Sequence, residues 1–139
     1  MDVEREGVFD PETLAEAREA YESLGSAART VVRETAVAME FDQTEYHDRV
    51  TSDVVETARD ALFASLLVVR IADYEAFEAW RADADVAVTV AGSPDVERVV
   101  WHVAPFADAA VAATFQEERE AAVATLRRQA FGRLYRDRL

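Results

Sequence analysis

The chain has 139 residues, of which half are apolar and none is cysteine, and it carries 28 acidic against 15 basic residues for a net charge of −13. This length and apolar content predict one domain over residues 1–139 that can bury a core of its own. The absence of cysteine excludes disulfides, thiolate nucleophiles and cysteine-based zinc sites.

The charged residues predict a salt-rich environment. All 15 basic residues are arginine, although lysine is normally among the commonest residues. An acid excess of this size resists aggregation but strains the compact state through self-repulsion, which concentrated salt screens. GC-rich coding alone would replace lysine by arginine without adding acids. We therefore expect a halophilic protein with an acidic surface; the alternative is an ordinary acidic protein of a low-salt cytoplasm.

The compartment is predicted from two further features. Residues 1–6 are acidic and contain no apolar stretch, unlike a signal peptide. The longest apolar run, residues 61–69, includes Ser65 and is far too short to span a membrane. We expect a cytoplasmic protein without a membrane partner.

The first half of the sequence is typical of helices. Asp10 and Pro11 resemble an N-cap and a first helical residue, and Gly25 is a stop signal. Apolar spacing then predicts helices over residues 27–40, over 43–50 after Asp42, and from Thr51 or Ser52 onwards.

The second half mixes strands and helices. Residues 66–71 are a near-continuous apolar run, interrupted by Arg70, that is typical of a buried strand, and Asp73 is expected to cap a short helix. Residues 86–91 and 99–104 alternate around turn residues 92–95, which predicts a hairpin over 85–104. Apolar residues all round predict a buried helix over 107–115, and a last helix is expected from about residue 119 to 137.

These elements predict an α+β fold with a helical N-terminal half, a three-stranded sheet containing a hairpin, and two C-terminal helices. The alternating strand places Val99, Trp101 and Val103 on one face. We expect this face to form the core of the sheet against a helix, with Trp80 close by.

Four stretches carry a resemblance to a known family: FASLL at residues 63–67, FEAWR at 77–81, WHVAPF at 101–106 and AAVATLRRQAFGR at 121–133. Over nearly its full length the chain resembles a small haloarchaeal protein family of unknown function. The resemblance implies a halophile cytoplasm. It implies no activity, cofactor or site residue.

His102 is the centre of the one ligand site that the sequence suggests. If the strand registers allow it, Arg70, Thr89 and His102 share one face of the sheet, where a histidine beside an arginine binds an anion or moves a proton. The alternative, which we favour, is a hydrogen-bonded structural histidine under a helix. No P-loop, dinucleotide-binding glycine pattern or metalloprotease histidine pair is present, so no catalytic residue and no cofactor are predicted.

Metal binding and nucleic-acid binding are weaker interpretations. His47 lies beside Glu45 and Asp48, but among 28 acids nearly any histidine has an acidic neighbour, so no metal site is predicted. Residues 27–50 have helix-turn-helix spacing, yet the helix that would read DNA carries one arginine against two acids. Phosphate contacts require positive surface, so a nucleic-acid partner is not expected.

The charge of the chain changes sign near its end. Residues 1–118 hold 9 arginines and 26 acids, a net of −17, whereas residues 119–139 hold 6 arginines and 2 acids, a net of +4. At 100° per residue the last helix has two apolar stripes with arginine between them. We predict that a second subunit covers one stripe; the alternative is that the arginines pair with the chain's own acids.

The predicted interface consists of four residues of this last helix: Arg127, Phe131, Leu134 and Tyr135. Aromatic residues and arginine are enriched at interface centres, and a two-fold dimer is the commonest assembly. The sequence thus favours a non-catalytic interaction or assembly module that acts as a homodimer or binds another protein. A ligand-binding or enzymatic domain around His102 and a helix-turn-helix regulator are the alternatives.

Overall fold

A computed structural model gives the fold and describes residues 2–93 and 95–139. These residues form six α-helices: α1 (Leu14–Ser23), α2 (Gly25–Ala38), α3 (Gln43–Arg49), α4 (Ser52–Ser65), α5 (Tyr74–Ala84) and α6 (Arg119–Ala130). They also form five strands: β1 (Glu4–Glu6), β2 (Val69–Asp73), β3 (Ala87–Ala91), β4 (Arg98–Ala104) and β5 (Ala109–Phe115). A π-helical segment, Phe131–Tyr135, continues α6. The predicted α+β class is confirmed, with five strands instead of three.

Helix starts follow local capping chemistry. Each of four helices is preceded by a side chain that accepts a hydrogen bond from the backbone N–H three residues on: Thr13 for α1, Asp42 for α3, Thr51 for α4 and Asp73 for α5. The caps predicted at residues 42, 51 and 73 are confirmed. The first helix begins later than predicted, because Thr13 and not Asp10 supplies its cap.

The sheet has the order β1-β2-β4-β5-β3, in which β3 runs parallel to β5 and every other pair is antiparallel. The predicted hairpin over residues 85–104 is wrong, since β5 lies between β3 and β4. The predicted helix over 107–115 is wrong as well. After a short 3-10 turn at Pro105–Ala107, Asp108 adopts a left-handed conformation and the chain returns as β5 alongside β4.

Each face of the sheet is covered by different helices. Val69, Ile71, Val100 and Val111 lie on the face that packs against α6, the π-helical segment and Phe63 of α4. The opposite face packs against α5. Trp101 is fully buried there, with ring centroids 5.1 Å from Phe77 and 5.4 Å from Trp80. The predicted packing of Trp101 with Trp80 is confirmed.

The N-terminal strand is held at the edge of the sheet by a close backbone approach. Gly7 has φ +129°, and a Cβ on it would lie 2.5 Å from the carbonyl oxygen of Leu67. Only glycine fits this position without displacing backbone. In residues 2–93 and 95–139 no helix has both the length and the apolar character that crossing a lipid bilayer requires.

Candidate functional site

His102 is a buried core residue. Its Nδ1 lies 2.6 Å from the carbonyl oxygen of Val68, and its Nε2 lies 2.6 Å from the hydroxyl of Tyr135. Because a carbonyl only accepts, Nδ1–H donates to Val68 and Nε2 accepts from the tyrosine O–H. Burial lowers the pKa of His102 and so favours the neutral imidazole. Both ring nitrogens are therefore engaged within the chain, as in the structural alternative.

The structure does not bring Arg70, Thr89 and His102 together. Arg70 is paired with Trp101 across β2 and β4, so it lies on the opposite face from His102, with its guanidinium 5.7 Å from the ring of Trp80. Thr89 shares the His102 face through Val111 but is exposed on the edge strand β3. The shared face predicted for a ligand site therefore does not form.

The apolar residues of the predicted dimer interface are part of the chain's own core. Phe131, Leu134 and Tyr135 are all buried against Phe63 and the sheet. Arg127 donates from Nε to the carbonyl of Leu67 at 2.9 Å. The three apolar residues are thus not free to form the seam with a second subunit that the sequence predicted, whereas Arg127 is only half-buried.

The π-helical segment explains why both apolar stripes predicted for the last helix are buried in the chain's own core. The backbone N–H of Arg136 donates to the carbonyl of Phe131 at 2.9 Å, five residues back. This wider turn changes the angle between successive side chains, so the spacing of 100° per residue fails beyond Ala130. Tyr135 is consequently buried where its hydroxyl reaches His102.

A groove of about 820 Å³, the α4–α6 groove, lies between α4 and α6. Its floor is made of small or apolar side chains, namely Ala61, Ala64, Val123, Ala124 and Phe131. Polar and charged side chains complete the lining, namely Glu6, Thr57, Asp60, Ser65, Arg119, Glu120, Arg127, Arg128 and Arg136. Sequence reasoning did not identify this groove, although the arginine excess after residue 118 marks one of its walls.

The arginines of the groove differ in how they are compensated. Arg119 forms ion pairs with Glu4 at 2.6 Å and Glu6 at 3.3 Å. Arg127 is fixed by backbone carbonyls, with Nη2 donating to that of Glu6 at 3.1 Å in addition to its bond to Leu67. Among residues 2–93 and 95–139, no carboxylate lies within 4.0 Å of the guanidinium nitrogens of Arg127, Arg128 or Arg136.

A second surface is formed by the helices that precede the sheet. We define the α2–α3 face by five exposed apolar side chains: Val31, Val37, Met39, Tyr46 and Val54. α2 buries only one narrow stripe of small residues and valine, and α3 buries none of its side chains. Four of the five residues lie where α2 ends, α3 follows and α4 begins.

The helix-turn-helix and metal interpretations can be placed on this surface. α2 and α3 are successive helices as the spacing predicted, but Glu45 and Asp48 are exposed on α3, where they disfavour contact with phosphate. Within the part of the chain that the structure describes, no three histidine, aspartate or glutamate side chains are grouped as metal ligands.

Comparison with known proteins places the chain in a family. No curated protein and no solved structure matched it. The model of a family of unknown function, DUF5809, matches residues 8–136, in agreement with the resemblance to a family without an assigned activity. The chain is therefore a member of DUF5809, a family of unknown function, over nearly its whole length.

Proposed function

We propose that the protein is a non-catalytic interaction module that acts as a homodimer in a salt-rich cytoplasm, and that its two copies meet through the α2–α3 face. One observation carries the proposal. Among the described residues, seven large apolar side chains are exposed, and five of them lie in or beside α2, α3 and the start of α4. The other two, Val3 and Val8, belong to the N-terminal segment.

The chemistry of the face favours a protein partner. Val37 is 66% exposed and Met39 58% exposed, although the chain has a well-formed core elsewhere. Large apolar residues left exposed in one region of a chain are typical of association surfaces, and methionine and tyrosine are enriched in interfaces. Burying such residues between two copies removes apolar surface from water, which stabilises the dimer.

The charge distribution supports a second copy as that partner. The whole chain has a net charge of −13, so two copies repel each other over most of their surfaces. α2 carries Arg29, Arg33 and Glu34, which gives this helix a net charge of +1. α2 therefore repels a second copy less than the acidic segments around it do, and concentrated salt screens the repulsion that remains across the face.

The ion pairs support the salt-rich cytoplasm. Among residues 2–93 and 95–139, only Glu4, Glu6, Asp10 and Glu78 have a carboxylate within 4.0 Å of an arginine. The chain has 28 acidic residues, so most of their charge is not compensated by direct contact within the molecule. Dissolved cations are the natural source of that compensation.

The test compares two valines of equal exposure. Val37 and Val8 are both 66% exposed, but only Val37 lies on the α2–α3 face. In molar KCl, light scattering should give a dimer for the native protein and for Val8→Glu, and a folded monomer for Val37→Glu, because a buried unpaired carboxylate is costly. A monomeric native protein, or a dimer that Val37→Glu leaves intact, would overturn the proposal.

A further inference from the structure

We infer that the α4–α6 groove is a binding site for an organic anion that has an apolar body and a carboxylate or phosphate group. This site lies outside the α2–α3 face, and the inference does not depend on the dimer. It rests on three features of the groove: its size, its floor, and the arginines that lack an acidic partner.

The size and floor of the groove suit an apolar body. Ligand sites typically measure roughly 300–1,000 Å³ and are mostly apolar, with a few polar groups that fix orientation. The groove measures about 820 Å³. α4 contributes Ala61 and Ala64 to its lining and α6 contributes Val123 and Ala124, all of them small apolar side chains.

Arg127 is arranged in advance for an acidic group. Its guanidinium is half-buried and donates from Nε and Nη2 to two backbone carbonyls, so its position is set before any ligand arrives. Carbonyl oxygens orient the side chain without neutralising its charge. A preorganised guanidinium binds carboxylate or phosphate with little further loss of side-chain freedom.

Two more arginines extend this positive charge along the groove. Arg128 and Arg136 are exposed, and Arg136 lies over the ring of Phe131 at 5.4 Å from its centroid. Together with Arg127 they place three arginines beside one apolar floor, where an acidic group of the ligand would be bound.

The acids of the groove offset most of this charge and leave an excess of one arginine. Glu6 forms an ion pair with Arg119, whereas Asp60 keeps its negative charge while it accepts a hydrogen bond of 2.6 Å from the hydroxyl of Tyr21. With the exposed Glu120, three acids stand against four arginines, a net charge of +1. In a chain with 28 acids and 15 arginines, a groove with an excess of arginine is an exception to the surrounding charge.

The probe for the test is 8-anilinonaphthalene-1-sulfonate, a fluorescent anion with an apolar body. It is titrated into the native full chain in molar KCl, where long-range attraction is screened and direct contacts dominate. We expect saturable binding at the groove. Arg128→Glu combined with Arg136→Glu should raise the apparent Kd by about tenfold or more, the change that follows from losing one charge-assisted hydrogen bond.

Matched controls separate the groove from general charge and from the α2–α3 face. Arg133→Glu alters an exposed arginine of the same segment that does not line the groove, and Val37→Glu alters the other apolar surface; each should leave the apparent Kd within about twofold. Ala124→Phe fills the floor and should abolish the signal, whereas Ala82→Phe, on exposed α5 surface, should not. Circular dichroism establishes that each variant is folded.

Competition identifies the acidic group. Decanoate and decyl phosphate share one apolar body, and the one that displaces the probe at lower concentration assigns carboxylate or phosphate as the preferred group. Displacement by neither would overturn the inference. An unchanged Kd in the Arg128→Glu, Arg136→Glu variant, or an equal loss in Arg133→Glu, would overturn it as well.

Discussion

At the scale of single residues, the pair His102 and Tyr135 shows how a polar group is accommodated in this core. The tyrosine ring packs edge-on against Phe63, with centroids 5.2 Å apart, and its hydroxyl needs an acceptor once it is buried. The imidazole supplies that acceptor through Nε2 and satisfies its own N–H on Val68. A neutral histidine can do both, and a protonated one cannot, because its Nε2 then carries a proton.

This arrangement predicts a dependence of stability on pH. Burial lowers the pKa of His102 in the folded state, so the unfolded chain binds the proton more readily. The free energy of unfolding should be constant above the unfolded pKa of about 6.5 and fall below it, by up to about 1.4 kcal/mol per pH unit. Asp10 opposes the shift, and Arg70 and Arg127 add to it.

Urea unfolding in molar KCl between about pH 7 and pH 5.5 measures the effect. His102→Gln should remove the slope, whereas His47→Gln, which changes an exposed histidine of α3, should retain it. Equal slopes in the native protein and in His102→Gln would contradict the structural role assigned to the buried imidazole.

At the scale of elements, the prediction worked where a local signal sets the structure. The caps at Asp42, Thr51 and Asp73 act within three residues, and the helices after them were predicted. β5 was predicted as a helix because its sequence, AAVAATF, is apolar on both sides. A central strand and a buried helix share that pattern, and only pairing with β4 and β3 distinguishes them.

The candidate sites depended on longer-range geometry and were predicted less well. Whether Arg70 faces His102 depends on the register of β2 against β4, which is set by pairing over about 30 positions of chain. The two apolar stripes of the last helix are predicted for a regular α-helix. No local sequence signal indicates the hydrogen bond from the backbone N–H of Arg136 to the carbonyl of Phe131, five residues earlier. The α4–α6 groove needs two helices far apart in sequence to be brought together.

The packing of Trp101 against α5 gives a prediction for the stability of the fold. Trp101 is fully buried between β4 and α5, so Trp101→Ala should lower the free energy of unfolding by about 3–5 kcal/mol, as for large aromatic residues lost from a core. Trp80 is only half-buried, and Trp80→Ala should cost less. Denaturant unfolding of both variants in molar KCl measures the difference, and a larger effect at Trp80 would contradict the packing described.

At the scale of the whole molecule, charge and apolar surface act against each other. A net charge of −13 favours separate, soluble chains, whereas the proposed association through the α2–α3 face would bury apolar surface. Salt shifts this balance in one direction, since it screens the repulsion and strengthens apolar burial. The same medium would therefore stabilise both the folded chain and the proposed dimer.

Folding should accordingly depend on salt. The melting temperature measured by circular dichroism is expected to rise from millimolar to molar KCl, because repulsion among the unpaired carboxylates is progressively screened. Sodium and potassium chloride should behave alike if screening is the cause. A melting temperature that stays unchanged over this range would contradict the proposal that the protein is adapted to a salt-rich cytoplasm.

Sedimentation equilibrium of the native chain in molar KCl, at micromolar concentrations, measures the proposed self-association through the α2–α3 face. We expect a mass of twice the 15.5 kDa of one chain, falling towards 15.5 kDa as salt is withdrawn under conditions where the chain is still folded. A mass of 15.5 kDa for the folded native protein at every salt concentration would contradict it.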